Sequence, residues 1–385
     1  MSWPMVSIES VAKVITGKTP PKADPNCFGG NIPFITPSEL TDSDYLLKPE
    51  TTLTEKGLAT TKLIPKNSIL VCCIGSLGKM AIADLPVATN QQINSVIFDD
   101  DKIYYRFGFY ALKLLKNDLK KIAPSTTVAI INKSRFSELK IPCPPLEEQK
   151  RIATILDKVD GIHKKREQAI KLADDFLRAK FLEMFGTPAN NIHRFPKGTI
   201  RDLVDSVNYG TSAKASIDSG EYPILRMGNI TYQGRWDFTD LKYLDLSVKE
   251  KDKYLVKEGD LLFNRTNSKE LVGKTAVYEE DRPMAFAGYL IRVRPNSIGN
   301  NYYISGYLNS IHGKITLMNM CKSIVGMANI NAQELQNIEI LIPPKHLQDE
   351  YEIIYKKIKK GLSIYDKSAM QLQLLASNLS NKYFM

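Results

Sequence analysis

One short segment of this chain occurs twice. Ile131-Asn132-Lys133, followed by Leu139-Lys140-Ile141-Pro142-Cys143-Pro144-Pro145-Leu146-Glu147-Glu148-Gln149, returns 199 positions later. The second copy reads Ile330-Asn331-Ala332, then Ile338-Glu339-Ile340-Leu341-Ile342-Pro343-Pro344-Lys345-His346-Leu347-Gln348. Each double proline opens a long stretch of helical periodicity. A globular unit plus a helix, used twice, implies two similar modules held at a fixed separation. Such a chain suits a two-part target better than a single catalytic pocket.

The repeat continues upstream at low identity. Leu63–Val71 matches Leu255–Phe263, Gly78-Lys79 matches Gly273-Lys274, Ile32–Ile35 matches Tyr222–Leu225, and Thr16-Gly17 matches Tyr209-Gly210. Any one pair could arise between unrelated β-rich stretches. All of them in one order point to duplication.

The 385 residues have room for two or three domains, and the 43% hydrophobic content supplies real cores. Short strands bounded by turn residues are expected at Ile69–Ile74, Asn94–Phe98, Leu261–Phe263 and Tyr289–Val293. Helices are expected at Arg106–Lys121 and Tyr302–Met318. The fold class is therefore α+β (mixed α/β), with two similar globular domains, residues 1–143 and 187–342. Two long helical segments, 144–186 and 343–385, alternate with them.

The segment Leu146–Phe185 reads as one helix about 60 Å long at ~1.5 Å per residue. Pro144-Pro145 suit its first turn, Glu147 and Glu148 complement its dipole, and Gly186-Thr187-Pro188 stop it. Ile152, Ile155, Val159 and Ile162 alternate by threes and fours, and Leu156, His163, Ile170, Leu177 and Met184 recur every seven. In the partner segment Tyr351, Ile358, Tyr365, Leu372 and Leu379 also recur every seven. Heptad spacing predicts an antiparallel coiled coil between the two helices. Helices packed separately on their own domains are the alternative. Gly361 weakens the second helix and marks a place for a bend.

The formal net charge of +10 is spread over both domains and both helices. A mild excess of this kind is often only a solvated surface; with the repeat it favours a polyanion such as double-stranded DNA. No apolar run approaches the ~20 residues of a membrane helix, and Met1-Ser2-Trp3-Pro4 has no signal-peptide pattern. Five scattered cysteines without a CxxC suggest neither zinc nor disulfides, and so a reducing cytoplasm. Cys72 and Cys73, adjacent in a strand, should face opposite sides.

Motifs for catalysis are missing. Gly273-Lys274-Thr275 lacks the earlier glycine of a phosphate loop, since Ser268 stands there, and Gly78-Lys79 makes it a repeated turn. His163, His193, His312 and His346 have no metal spacing. No methylating Asn/Asp-Pro-Pro-aromatic tetrapeptide and no glycine-rich cofactor loop occurs. The expectation is a chain with no catalysis, metal or cofactor of its own.

Loops rich in base-reading side chains are the positive signal. Candidate DNA contacts in the first half are Thr16, Lys18, Thr19, Ser76, Lys79, Asn90, Gln91 and Gln92. In the second half they are Thr211, Ser212, Lys214, Asn264, Arg265, Thr266, Asn267, Lys269 and Lys274. Amides suit adenine edges and an arginine fork suits guanine. Arg265 falls in a loop whose repeat counterpart is expected to be the Gly75–Lys79 turn.

The run Pro144-Pro145-Leu146-Glu147-Glu148-Gln149-Lys150-Arg151-Ile152-Ala153-Thr154-Ile155-Leu156-Asp157-Lys158-Val159-Asp160 resembles the central conserved region of type I restriction–modification specificity subunits. The resemblance covers essentially the whole chain. The second copy keeps the prolines, Leu347 and Gln348 but not the Arg-Ile that follows, which leaves its helix's partner contacts open. The resemblance implies that each domain is a target-recognition domain reading half of a bipartite, asymmetric DNA site. It implies that the helices act as a ruler and as the dock for methyltransferase subunits, two per chain, which methylate adenine from S-adenosylmethionine. A restriction and motor subunit would join them. A stand-alone DNA-binding regulator without such partners is the alternative.

Overall fold

The computed structural model describes residues 3–41, 43–46, 49–122, 129–268, 270–324 and 327–384; some side chains in these ranges, most of those beyond residue 363 among them, lie outside the description. The chain divides into two compact units. Unit one comprises Met1–Lys164 with Ser368–Met385, and unit two comprises Lys165–Lys367.

Unit one is built on a four-stranded antiparallel sheet in the order Ala12–Thr16, Ile93–Phe98, Ile69–Cys72, Met80–Ile82. All four residues of Ile69–Cys72 are buried, as expected for a short central strand covered on both faces. Its pleat sends Ile69, Val71 and, just beyond its end, Cys73 into one core, and Leu70 and Cys72 into another. The two cysteines therefore do face opposite ways. A smaller sheet, Thr52–Leu53, Phe28–Ile35, Ala88–Thr89, lies beside it in the chain order of the repeat.

Unit two repeats this plan. Its main sheet runs Val204–Tyr209, Leu290–Pro295, Leu261–Asn264, Thr275–Val277, again antiparallel throughout. A second sheet adds Lys242–Leu244, Tyr222–Leu225, Met284–Phe286 and Leu255–Val256. Leu261 and Phe263 enter one core and Leu262 the other. A two-stranded ribbon closes each unit: Met5–Ser7 with Lys140–Pro142, and Lys197–Thr199 with Glu339–Leu341.

The expected single helices over 106–121 and 302–318 are each broken in two. Tyr105–Leu114 is followed by Lys116–Ile122, and Asn301–Asn309 by Ile311–Met320. Ser310 explains the second break: it is extended, and its hydroxyl caps the new helix at Gly313 N–H, an N-cap that periodicity alone does not reveal.

The long helices span Leu146–Phe185 and Lys345–Phe384, forty residues each, and the second runs unbroken through Gly361. The first begins in unit one and ends in unit two; the second begins in unit two and ends in unit one. The heptad positions divide by role. Ile152 and Leu156 belong to the main core of unit one. Tyr351 belongs to that of unit two, where it meets the first helix through Phe181 (ring centroids 5.4 Å) and Phe185 (5.9 Å). Thus Ile152 and Tyr351 are domain-core residues, which a reading of every heptad position as coiled-coil seam did not foresee. Val159 and Leu177 are buried, Ile155, Ile170 and Ile358 half-buried, and Ile162 exposed; the side chains of Tyr365, Leu372 and Leu379 lie outside the described residues.

The repeated glutamine explains the most conspicuous part of the echo. Gln149 is fully buried; its amide donates to Lys102 and Pro144 carbonyls, both at 2.8 Å, and its Oε1 accepts from Tyr104 N–H. Gln348 donates in the same way to Ile298 and Pro343 carbonyls, both at 2.9 Å. Each latch ties the first turn of a long helix to its own domain and satisfies carbonyls that burial would otherwise orphan.

Candidate nucleic-acid interface

The two units share a backbone frame, bond for bond, where the candidate loops leave the main sheet. Gly17 N–H donates to Ile93 O and Gly210 N–H to Leu290 O. Lys18 N–H donates to Thr89 O and Thr211 N–H to Phe286 O. Cys73 N–H donates to Gln92 O and Arg265 N–H to Tyr289 O, while Cys73 O and Arg265 O accept from Ile131 and Ile330 N–H. A Cβ on Gly17 would lie 2.1 Å from Thr89 O, and one on Gly210 2.3 Å from Phe286 O, so only glycine fits this crossing. Gly78 and Gly273 turn at φ of +76° and +75°, which makes Gly78-Lys79 and Gly273-Lys274 structural turns, as expected.

The shared frame corrects one alignment. Arg265 stands in the backbone slot of Cys73, not in the Gly75–Lys79 turn. The similarity of local spacing had hidden this, because Cys73 is buried and carries no recognisable chemistry.

Several candidate side chains serve the frame itself. Asn90 is buried; its Oδ1 accepts from Gln92 N–H and its amide donates to Gln92 Oε1. Thr211 is buried and accepts from Ala213 N–H. Asn264 is wholly buried, with its amide nitrogen unpartnered. Lys274 is buried, donates to Met227 O at 2.8 Å, and has its pKa lowered by desolvation. These four were expected as DNA contacts; their polar groups serve or are enclosed by the fold instead, with Thr211 and Lys274 also bordering a cleft of unit two. Amide-rich turn sequences read alike whether the amides face in or out.

The remaining candidates are accessible. In unit one Thr16, Lys18, Gln91, Ser76 and Lys79 are exposed and Thr19 and Gln92 half-buried. Thr16 Oγ1 donates to Asn94 Oδ1 at 2.7 Å and Thr19 Oγ1 to Gln91 Oε1 at 2.6 Å. Ser76 and Lys79 line a separate hollow of about 340 Å³ with Lys116. In unit two Ser212 and Lys214 are exposed, and Thr266 and Asn267 form a short strand paired with Ala328 and Asn329. Lys269 lies outside the described residues.

Unit two gathers its candidates around one cleft of about 930 Å³. Its wall includes Ser212, Lys214, Arg265, Asn267 and Lys274. It also includes Arg226, Lys242 and Tyr289, which the sequence reading did not select. No carboxylate lines it among the described residues. Arg226 follows a matched strand of the repeat and could have been found from that position; Lys242 and Tyr289 carried no signal. Such a wall concentrates positive potential in a concave, partly desolvated site. Among the described residues no cluster of His, Cys, Asp or Glu could hold a metal ion, and no helix is long and apolar enough to cross a membrane.

The family profile of the type I restriction modification DNA specificity domain matches this chain twice, over residues 2–172 and 195–376. The chain belongs to that family. Two relatives are similar over nearly full length. The type I restriction enzyme MjaIX specificity subunit of Methanocaldococcus jannaschii is 23% identical over 406 residues, 99% of this chain and 92% of the relative. The EcoKI specificity subunit of Escherichia coli is 23% identical over 408 residues, 98% of this chain and 86% of the relative. The crystal structure of the type I restriction–modification S subunit from M. genitalium has the same fold, with a TM-score of 0.66 at 18% identity, covering 100% of this chain and 96% of that one. This is therefore a type I specificity subunit with two copies of the DNA specificity domain.

Proposed function

We propose that each unit reads one half of a bipartite, asymmetric DNA site. The division into recognition domains 1–143 and 187–342 and spacer helices 144–186 and 343–385 is part of this reading. One observation carries it: the same backbone frame presents different side chains in the two units. Thr16, Lys18, Cys73 and Gln92 stand where Tyr209, Thr211, Arg265 and Tyr289 stand. A shared frame would approach DNA the same way twice, and different side chains would specify different bases.

The two long helices then set the gap between the half-sites and offer surface to methyltransferase subunits, two per chain, with a restriction and motor subunit joining in turn. A relative of similar fold, TM-score 0.53, was determined in work on complex assembly and conformational transition of the type I restriction–modification system, which agrees with a role in an assembly. Among the accessible candidates, Lys18, Lys79 and Lys214 are cast as phosphate contacts and Thr16, Gln91, Ser212 and Asn267 as groups near base edges.

Mapping methylated adenines produced by the assembled methyltransferase tests this reading. The expected motif is two specified blocks around an unspecified gap. Four residues added beside Gly186 lengthen a helix by ~6 Å, and the gap should then grow while both blocks keep their bases. A motif of one continuous block, or an insertion that changes the blocks and not the gap, contradicts it.

A further inference from the structure

We infer that Arg265 reads a guanine in the half-site of unit two and that Tyr209 is its positioning residue, a step that rests on the half-site reading above.

The backbone of Arg265 is held on both sides, by Tyr289 O at 3.0 Å and by Ile330 N–H at 2.9 Å. Its guanidinium carbon lies 4.8 Å from the centroid of the Tyr209 ring. The ring is itself fixed at its far end, because the Tyr209 hydroxyl accepts from Ala332 N–H at 2.9 Å. A guanidinium over an anchored aromatic face loses little further freedom on binding.

The donors of Arg265 are unspent. Among the described residues no hydrogen bond or ion pair engages its side chain; Nε is sealed from solvent, which leaves the two terminal nitrogens to meet a base edge. The other cations of the cleft differ. Arg226 is bound to Asp240 at 2.9 Å, and Lys274 donates to Met227 O. Lys214 and Lys242 are ammonium groups, which suit a phosphate as point charges. Among the described cations of the cleft, Arg265 alone joins a planar fork and an anchored orientation with no ion pair. That combination matches the O6 and N7 acceptors of guanine in the major groove.

The equivalent positions of unit one carry no such device. Cys73 fills the slot of Arg265, and Thr16 fills that of Tyr209, with its hydroxyl bonded to Asn94. A guanine specified from this slot therefore belongs to one half-site only.

The test uses the assembled methyltransferase carrying the native chain, Arg265→Lys, Arg265→Ala or Tyr209→Leu. Methylation rates are compared on DNAs varied one base pair at a time, at two salt concentrations. One guanine of the second block should lose discrimination by about 5- to 150-fold in both Arg265 variants, the loss of one bidentate base contact. Tyr209→Leu should relax the same position by less, and the first block should not change. A thermal melt of each assembly shows that the variants fold, and Arg265→Lys keeps the charge if Arg265→Ala does not. Uniform weakening on every DNA, with the salt slope reduced by about one, would make Arg265 a phosphate contact and overturn the inference. So would relaxation at an A·T pair or in the first block. If the native motif has two blocks and no position responds, the inference alone fails; if it has a single block, the half-site reading fails.

Discussion

Unit one and unit two hold the starts of their long helices with opposite chemistry; farther along the first helix, Lys164 pairs with Asp44 and Asp174 with Arg235. Gln149 and Gln348 place Lys102 and Ile298 at equivalent points, so Arg106 and Tyr302 correspond, as do Asp157 and Lys356. In unit one the cation is on the domain: Arg106 is buried and reaches Asp157 of the helix at 2.6 Å and Asp44 at 2.7 Å. Tyr110 OH donates to Asp157 and Asp160, 2.7 and 3.2 Å away. At the corresponding place in unit two the cation is on the helix: Lys356 lies over the Tyr302 ring at 5.1 Å and pairs with Glu352 of its own helix at 2.8 Å and with Glu258 at 3.8 Å, and Lys359 faces Glu279 at 4.0 Å. Unit two compensates with aromatic packing, Phe181 stacking on Tyr303 at 5.6 Å between Phe185 and Tyr351. Duplication kept the latch and the frame, while the side chains around them diverged until each helix start fitted its own domain. Docking the Asp157–Asp160 face on Glu279, or the Lys356–Lys359 face on Arg106, would set like charges together.

The largest effect should separate the two clamps. Arg106→Met leaves buried Asp44 with only the more distant Lys164 (3.4 Å) and Lys113 (3.9 Å), and should cost about 3 kcal/mol of stability, the low end for breaking a buried pair. Lys356→Met removes a partly exposed pair, and should cost under ~1 kcal/mol. Denaturant melts followed by hydrogen exchange in each unit compare them, and equal costs would break the contrast. Acid should act on the same side. Burial raises the Asp44 pKa, but the Arg106 hydrogen bond and charge, with Lys113 and Lys164, hold it below the usual carboxylate value. A depressed folded pKa stabilises above the unfolded value, near ~3.9, and that stability is lost as pH falls through the folded one. Glu279 is shifted the other way, raised by burial despite Lys359, so its contribution is present below the unfolded value and lost as pH rises through the folded one. The Asp44 clamp of unit one should therefore loosen as pH drops below about 4, while Glu279 contributes no such loss in unit two.

A smaller effect compares the two glycine–lysine turns. Lys274→Met leaves the Met227 carbonyl unpartnered and should cost ~1–3 kcal/mol of stability. Lys79→Met, at the equivalent but exposed position, should stay within about 0.5 kcal/mol. Its effect should appear instead as a salt slope for DNA binding reduced by about one. A destabilising Lys79→Met would show that the two turns have the same structural task.

The extent to which this could be read in advance follows from what each signal encodes. The repeat, the two forty-residue helices and the short buried strands were legible, because periodicity and proline placement act locally. The broken helices at Leu115 and Ser310 were not, since one capped residue interrupts an otherwise continuous apolar pattern. The inward turn of Asn90, Asn264 and Lys274 was not legible either. Lys274 turns toward the carbonyl of Met227, far away in the chain, Asn90 bonds Gln92 two residues on, and Asn264 is enclosed with its amide nitrogen unpartnered. The split of the heptad positions was hidden for a related reason: Ile152 and Tyr351 keep the heptad period while packing into domain cores.

The central claim is that one frame, used twice, carries two independent readers. The most direct measurement replaces residues 200–340 with the corresponding segment of another family member, leaving unit one and both helices intact, and maps the methylated motif of the assembled enzyme. The account predicts that one block of the motif changes to the donor's bases while the other block and the gap are kept. A motif in which both blocks change, or neither does, would contradict it.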